Sequence, residues 1–336
     1  MQTPTRRRFL ECLLAGAAAT GACGLLAPAA WARSPAIIVG GGPAGAGAAL
    51  ALRQAQPDTP VLMIERDPTR LGRSPALAFD QPAAGPDLDM LRRAGVEVVL
   101  DDVVDLDWKA ARIELFSGRR LAFDRLFMAP GSAALDEAIP GLDPRTRHLW
   151  PAAWGNLREA RRLRAQLASL PGTGHVVLRL PATISHPEAA LGRALDLAAL
   201  LSRTRPDSRL TVLEGSRGTD LAARFQSELA RQRLHLGTEW LDGANGGTVL
   251  RVDAARGEIE TDAGRLRADV VNFVGHQGAG PIARTAGLTD DSGWCPTDPR
   301  GRSTRHPEAV ILGDARKAAR RTIADALLSA RAAASA

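Results

Sequence analysis

Ala36-Ile37-Ile38-Val39-Gly40-Gly41-Gly42-Pro43-Ala44-Gly45 is the stretch whose reading decides the fold. The four apolar residues read as a short buried strand, and Gly40, Gly42 and Gly45 satisfy the spacing G-x-G-x-x-G. Small residues from Ala44 to about Gln54 predict a helix, and Val61-Leu62-Met63-Ile64 predicts a second strand ending on Glu65-Arg66. Strand, glycine turn, helix, strand and terminal acid, in that order, make a βαβ nucleotide-binding unit. Gly40 suits the tight turn, Gly42 lets a pyrophosphate approach the backbone, and Gly45 lets helix and strand pack closely. The helix start at Pro43 and Ala44 offers phosphates free N–H groups and positive potential. Glu65, 25 residues after Gly40, can accept both hydroxyl hydrogens of a ribose.

Two later segments bear on which nucleotide is held. Arg120 to Met128 reads as a strand leading into Ala129-Pro130-Gly131, and Ala309-Val310-Ile311-Leu312 reads as a buried strand closing on Gly313-Asp314. A helix is expected from Thr322 to Ala334. Their order resembles the two-dinucleotide-domain flavoproteins. That resemblance implies that Asp314 holds the flavin ribityl chain and that the last helix aims its N-terminus at the pyrimidine end of the ring. FAD is therefore the expected cofactor.

The middle of the chain repeats the βαβ pattern without its glycines. His175 to Leu180 reads as a strand, Pro187 to Ser202 as a helix and Arg209 to Glu214 as the next strand. The turn between them is Pro181-Ala182-Thr183-Ile184-Ser185-His186. Side chains fill the space a pyrophosphate would need, and Pro181 has no N–H to offer. NAD(P)H binding is not expected here, so the electron donor is expected to be something else.

Further stretches resemble the flavoprotein subunit of flavocytochrome c sulfide dehydrogenase, a relative of sulfide:quinone oxidoreductase. They are Pro151-Ala152-Ala153-Trp154, Ala268-Asp269-Val270-Val271-Asn272, His276-Gln277 and Ala286 through Asp298, the last including Trp294-Cys295-Pro296. The resemblance implies an oxidoreductase that takes electrons from sulfide or another reduced sulfur species and passes them to a c-type cytochrome subunit. This chain departs from the family pattern in three places. The family's redox-active cysteine pair should begin in the turn after Leu180, where Thr183-Ile184-Ser185-His186 stand. Its second member belongs to a C-terminal cap that this sequence is expected to lack. Some members tether FAD through a cysteine shortly after the ribose acid, where this chain has Leu71-Gly72-Arg73-Ser74. Non-covalent FAD is expected, and Cys295 matches a structural family cysteine. The other reading is a non-catalytic or chemically altered FAD-binding subunit that has lost the cysteine pair.

The remaining features bound these expectations. The 336 residues are 45% hydrophobic and 24% charged, as in globular chains, and length alone suggests about two domains. Lysine occurs only at 109 and 317, so arginine supplies almost all the basic charge along the whole chain, without an aromatic-interleaved stripe. Nucleic-acid binding is disfavoured. Thr5-Arg6-Arg7-Arg8-Phe9-Leu10, an apolar run from Leu13 to Ala30 and Ala30-Trp31-Ala32 read as a twin-arginine signal with a cleavage site, hence periplasmic export. The run is rich in Ala and Gly, so no stable membrane span is expected. Cys12 and Cys23 leave with the signal, which excludes an internal disulfide. The six histidines show no metal-ligand spacing.

His186 reads as an acid or base or, alternatively, as an exposed residue at a helix entry. His276 reads as facing the flavin region or as a loop residue. Arg316-Lys317 and Arg320-Arg321 read as docking to an acidic partner or to the anionic reduced flavin, or as a solvated turn. The expected fold is α/β with two doubly wound Rossmann-like domains. A discontinuous FAD-binding domain spans 34–149 and 273–336, and an inserted domain spans 150–272.

Overall fold

The strand Ala36–Val39 is buried at every residue, as a strand covered on both faces must be. In the computed structural model, which describes residues 35–68, 71, 86–155 and 157–334, this strand lies between the parallel strands Val61–Glu65 and Arg125–Met128. Val96–Leu100 extends the sheet on one side and Ala309–Ile311 closes it on the other. The first sheet therefore draws strands from both ends of the chain. Its order reverses at Ala36–Val39, and such a switch point opens a crevice at the carboxyl ends of the strands. The proposed signal at 1–32 and the residues Gly72, Arg73 and Ser74 lie outside the described residues.

A second parallel sheet carries Gly237–Leu241, Arg209–Glu214, His175–Leu180 and Val270–Phe273, in that order. The crossover helix Pro187–Thr204 buries Ala190, Leu191, Ala194, Leu197, Ala198 and Leu201. That spacing is the apolar face of a 3.6-residue period. The fold is mixed α/β with parallel Rossmann-like sheets. Among the described residues no helix is long and apolar enough to cross a membrane.

The helix Pro43–Ala55 starts with proline in its first turn, where the missing N–H costs no hydrogen bond. It packs against Ile323–Ala334 through small residues. A Cβ on Gly47 would stand 3.0 Å from Leu327 Cδ2 and 3.4 Å from Ala330 Cβ. The Arg53 guanidinium fastens its far end by donating to the carbonyls of Ala94, Pro57 and Thr59.

Two three-stranded antiparallel meanders were not visible in the sequence. They are Val103–Asp107 with Arg112–Leu115 and Arg120–Ala122, and Val249–Asp253 with Glu258–Thr261 and Gly264–Arg267. The first corrects the expectation of one strand from Arg120 to Met128. Phe123 is buried and its N–H bonds back to Ala111, so the chain leaves the meander there and enters the parallel sheet at Arg125. The strand expected to run into Gly313-Asp314 stops at Ile311, and Gly313–Ala315 form a short 3₁₀ turn.

Candidate functional site

At the switch point lies a cavity of about 640 Å³. Gly40, Gly42, Pro43, Ala44 and Gly45 form one wall. Gly40 has φ +102°, and a Cβ there would meet the Ala129 carbonyl oxygen at 2.2 Å. A Cβ on Gly45 would stand 1.9 Å from the Gly40 carbonyl oxygen, so strand and helix pack at a distance only glycine allows. Gly42 differs. It has ordinary dihedrals, and no atom lies within 4 Å of its notional Cβ. The space over Gly42 is open, as a cradle for a pyrophosphate requires.

Glu65 and Arg66 line the same cavity. Glu65 Oε2 accepts the Gly41 N–H at 2.6 Å and Oε1 accepts the Asp67 N–H at 2.8 Å. These bonds fix the carboxylate while leaving lone pairs on both oxygens for ribose hydroxyls. Arg66 is half-exposed and 3.7 Å from Asp102. Ala129, Pro130 and Gly131 form the opposing turn, held by the Ala129 N–H bond to the Val39 carbonyl.

Asp314 closes the far end. Gly313 does not line the cavity. Its φ is +65°, and a Cβ on it would reach 2.7 Å from Ala44 Cβ, so it lets the turn settle on the first helix. Among the described residues nothing donates a hydrogen bond to the Asp314 carboxylate, which is 31% exposed. Beside it Arg321 and Thr322 lead into the last helix and also line the cavity. Burial lowers the Arg321 pKa from its ordinary value, against the opposing charges of Asp314 and Asp325.

The structure therefore brings together every residue expected to hold the cofactor except Gly313, which supports the site from behind. The glycine cradle, the open space over Gly42, the half-used Glu65 carboxylate and the unengaged Asp314 carboxylate fit a dinucleotide.

Several expectations about neighbouring residues need correction. His186 is not an exposed helix-entry residue. It is buried on the cavity wall, edge-on to Trp154 at 6.0 Å between ring centroids. The start of the same turn packs closely on the next strand's end, where a Cβ on Gly215 would reach Ala182 N at 2.9 Å. His276 does not line the cavity, whereas Gln277 does. The backbone N–H of His276 donates to Glu137 Oε1, and its ring stands 3.7 Å from Glu137 Oε2. The cationic run is part solvated turn and part internal pairing, with Lys317 and Arg320 exposed and Arg316 and Arg321 half-buried. Arg316 pairs with Asp325 at 2.9 Å and Lys317 with Asp290 at 2.7 Å, while Arg321 lies 3.7 Å over the Trp294 ring.

Two features of the second sheet were not anticipated. Glu214 ends its strand as Glu65 ends its own, but Glu214 is fully buried and does not line this cavity. Its carboxylate accepts from Ser216 Oγ, from Thr219 Oγ1 at 2.7 Å and from Trp240 Nε1 at 2.7 Å. The acid that would otherwise meet a second ribose is occupied within the fold. The other feature is the buried pair Glu137–Arg179, bidentate at 2.6 and 2.9 Å. Phe273 lies under its guanidinium at 4.6 Å. Acid–base patterns read along one strand cannot show a pair 42 residues apart.

Cys295 is fully buried in the core beside Trp294 and Ile311. Burial, with a smaller contribution from Asp290, pushes its thiol up to about 12. At neutral pH the thiol is therefore held in its un-ionised form.

Residues 34–178 match the pyridine nucleotide-disulphide oxidoreductase family. Residues 160–275 match the central region of the sulfide dehydrogenase (flavocytochrome c) flavoprotein chain. Among solved structures, the sulfide:quinone oxidoreductase of Aquifex aeolicus is 16% identical, with 90% of this chain covering 76% of that one at a TM-score of 0.67. A ferredoxin reductase from Rhodopseudomonas palustris is 17% identical over 90% of this chain and 76% of its own, TM-score 0.67. An NAD-dependent persulfide reductase from A. fulgidus is 17% identical over 89% and 58%, TM-score 0.68. At these identities the structures share the fold.

Proposed function

We propose that this chain, a flavoprotein of the pyridine nucleotide-disulphide oxidoreductase type related to sulfide dehydrogenase, is a periplasmic FAD-dependent oxidoreductase acting on reduced sulfur. It takes electrons from sulfide or another reduced sulfur species and passes them to a c-type cytochrome partner, without NAD(P)H. The observation that carries the reading is the single cavity joining the glycine loop, Glu65 and Asp314.

Bound FAD supplies a two-electron acceptor. The protein's residues supply its binding and surroundings. Backbone N–H groups at the start of Pro43–Ala55 take the pyrophosphate, Glu65 the adenosine ribose and Asp314 the ribityl hydroxyls. Arg321 places positive charge at the cavity wall. The glycine-free turn Pro181–His186 and the internally bonded Glu214 argue against a second nucleotide. Non-covalent attachment fits the absence of cysteine from the sequence Leu71 to Ser74.

A second reading is favoured by one observation: Cys295, buried and un-ionised, is not placed to open a disulfide relay. In that reading the chain holds FAD as a non-catalytic or chemically altered subunit. Anaerobic stopped-flow on the flavin absorbance separates the two. The catalytic reading expects bleaching by sulfide and none by stoichiometric NADH or NADPH. Cys295→Ser should leave the sulfide rate within about threefold, or roughly 0.6 kcal/mol in barrier. A hundredfold loss in a folded, FAD-replete variant would make Cys295 the nucleophile. Unchanged absorbance with sulfide would leave the non-catalytic reading.

Export rests on the sequence Arg6-Arg7 ahead of the apolar run. Replacing both by lysine is expected to retain the precursor in the cytoplasm. Undiminished periplasmic accumulation of that variant would refute the route.

A further inference from the structure

His186 is the one ionisable side chain of the glycine-free turn that reaches the cavity. Its side chain is 1% exposed, and its Nδ1 lies 2.6 Å from Ser185 Oγ. Among the described residues Nε2 has no hydrogen-bond partner. The Asp314 carboxylate lies beside that orphaned nitrogen, with Oδ2 at 3.8 Å. A buried imidazole nitrogen without a partner is costly, and so is a carboxylate beside a bare lone pair. Both costs fall if the proton sits on Nε2. Ser185 then acts as donor to Nδ1 and selects that tautomer, because a neutral imidazole carries only one N–H.

We propose that His186 is a positioning residue for the cofactor: its Nε2–H restrains the Asp314 carboxylate from behind, with Ser185 fixing the tautomer. The inference rests on the flavin reading of the cavity. It adds that the turn after the second sheet's strand has exchanged nucleotide binding for support of the first sheet's site. His186 belongs to the turn after His175–Leu180, whereas Asp314 follows Ala309–Ile311. Holding the ribityl-binding acid therefore couples the two sheets. Trp154 packs against the imidazole on the cavity wall, with the two ring planes at 83°.

The test uses the full chain freed of flavin, with its fold checked by circular dichroism. FAD and ADP are titrated separately, since ADP carries the adenosine and phosphates but no ribityl chain. His186→Ala is expected to weaken FAD at least tenfold while ADP stays within twofold of wild type. His186→Gln, whose amide can donate from a similar position, should bring FAD back to within threefold. Ser185→Ala, at a partly exposed turn position, is expected to weaken FAD about threefold without touching ADP, and serves if His186→Ala does not fold. FAD binding by both His186→Ala and Ser185→Ala within twofold of wild type would overturn the role. So would equal losses for FAD and ADP. Wild type that binds ADP but not FAD would instead overturn the flavin reading on which the role rests.

Discussion

Arg179→Met is expected to destabilise the protein by about 3–5 kcal/mol at pH 7, because it leaves Glu137 charged, buried and without its bidentate partner. The pH dependence gives this prediction a second, signed readout. In the wild type, burial is the largest influence on Glu137 and raises its pKa. The hydrogen bond and charge of Arg179, the His276 N–H and the His276 charge outweigh it, so the carboxyl titrates below its ordinary value of 4.5. A lowered folded-state pKa means the pair's contribution is complete above the unfolded value and is lost as pH falls through the folded one. Without Arg179 the remaining influence of burial dominates and the sign inverts, since the folded state then binds the proton more tightly than the unfolded one. The deficit of Arg179→Met relative to wild type should therefore shrink between pH 7 and pH 4. Adding Glu137→Gln to Arg179→Met should recover much of the loss, because no buried charge remains. Urea unfolding at several pH values reads all three effects. A deficit below about 1 kcal/mol at pH 7 would mean that the pair is solvated, as surface ion pairs are.

Gly45→Ala is expected to be comparably severe for a different reason. The added methyl would stand 1.9 Å from the Gly40 carbonyl oxygen, a backbone atom that cannot rotate away, and 3.2 Å from Ala129 Cβ. The helix must lift from the strand, at a cost of about 3 kcal/mol by the upper range for overpacked cores. That corresponds to roughly 6–12 °C in melting temperature for a domain of this size class, and FAD binding should fall with it. Gly42→Ala separates the two roles of the loop. Its methyl enters open space, so the melting temperature of flavin-free protein should stay within about 2 °C while FAD affinity drops. A Gly45→Ala protein melting like the wild type would show that helix and strand are less tightly opposed.

The sequence and the structure agree most closely where the physics is local. Strand, glycine turn, helix and terminal acid are read along adjacent residues, and each glycine meets the backbone constraint its position implies. Asp314 was legible only through the resemblance, from a Gly-Asp strand end standing in order behind the two earlier motifs. The meanders escaped notice because strands such as Arg120–Ala122 and Gly264–Arg267 are short and carry few buried residues. His186 looked exposed because the residues on either side of it are polar or proline. It packs against Trp154, which lies far from it in sequence. Glu214 shows the converse. Its place at a strand end matches that of Glu65, and only the side chains of Ser216, Thr219 and Trp240 turn it from a candidate ligand into a core acid.

One cavity, walled by the glycine loop, Glu65 and Asp314, is proposed to hold FAD without a covalent bond. Acid precipitation of the purified protein, followed by chromatography of the supernatant and the pellet, tests it most directly. The protein is expected to be yellow, to release stoichiometric FAD to the supernatant and to leave a colourless pellet. Flavin retained by the pellet would contradict non-covalent attachment, and colourless protein that cannot be reconstituted with FAD would contradict the site itself.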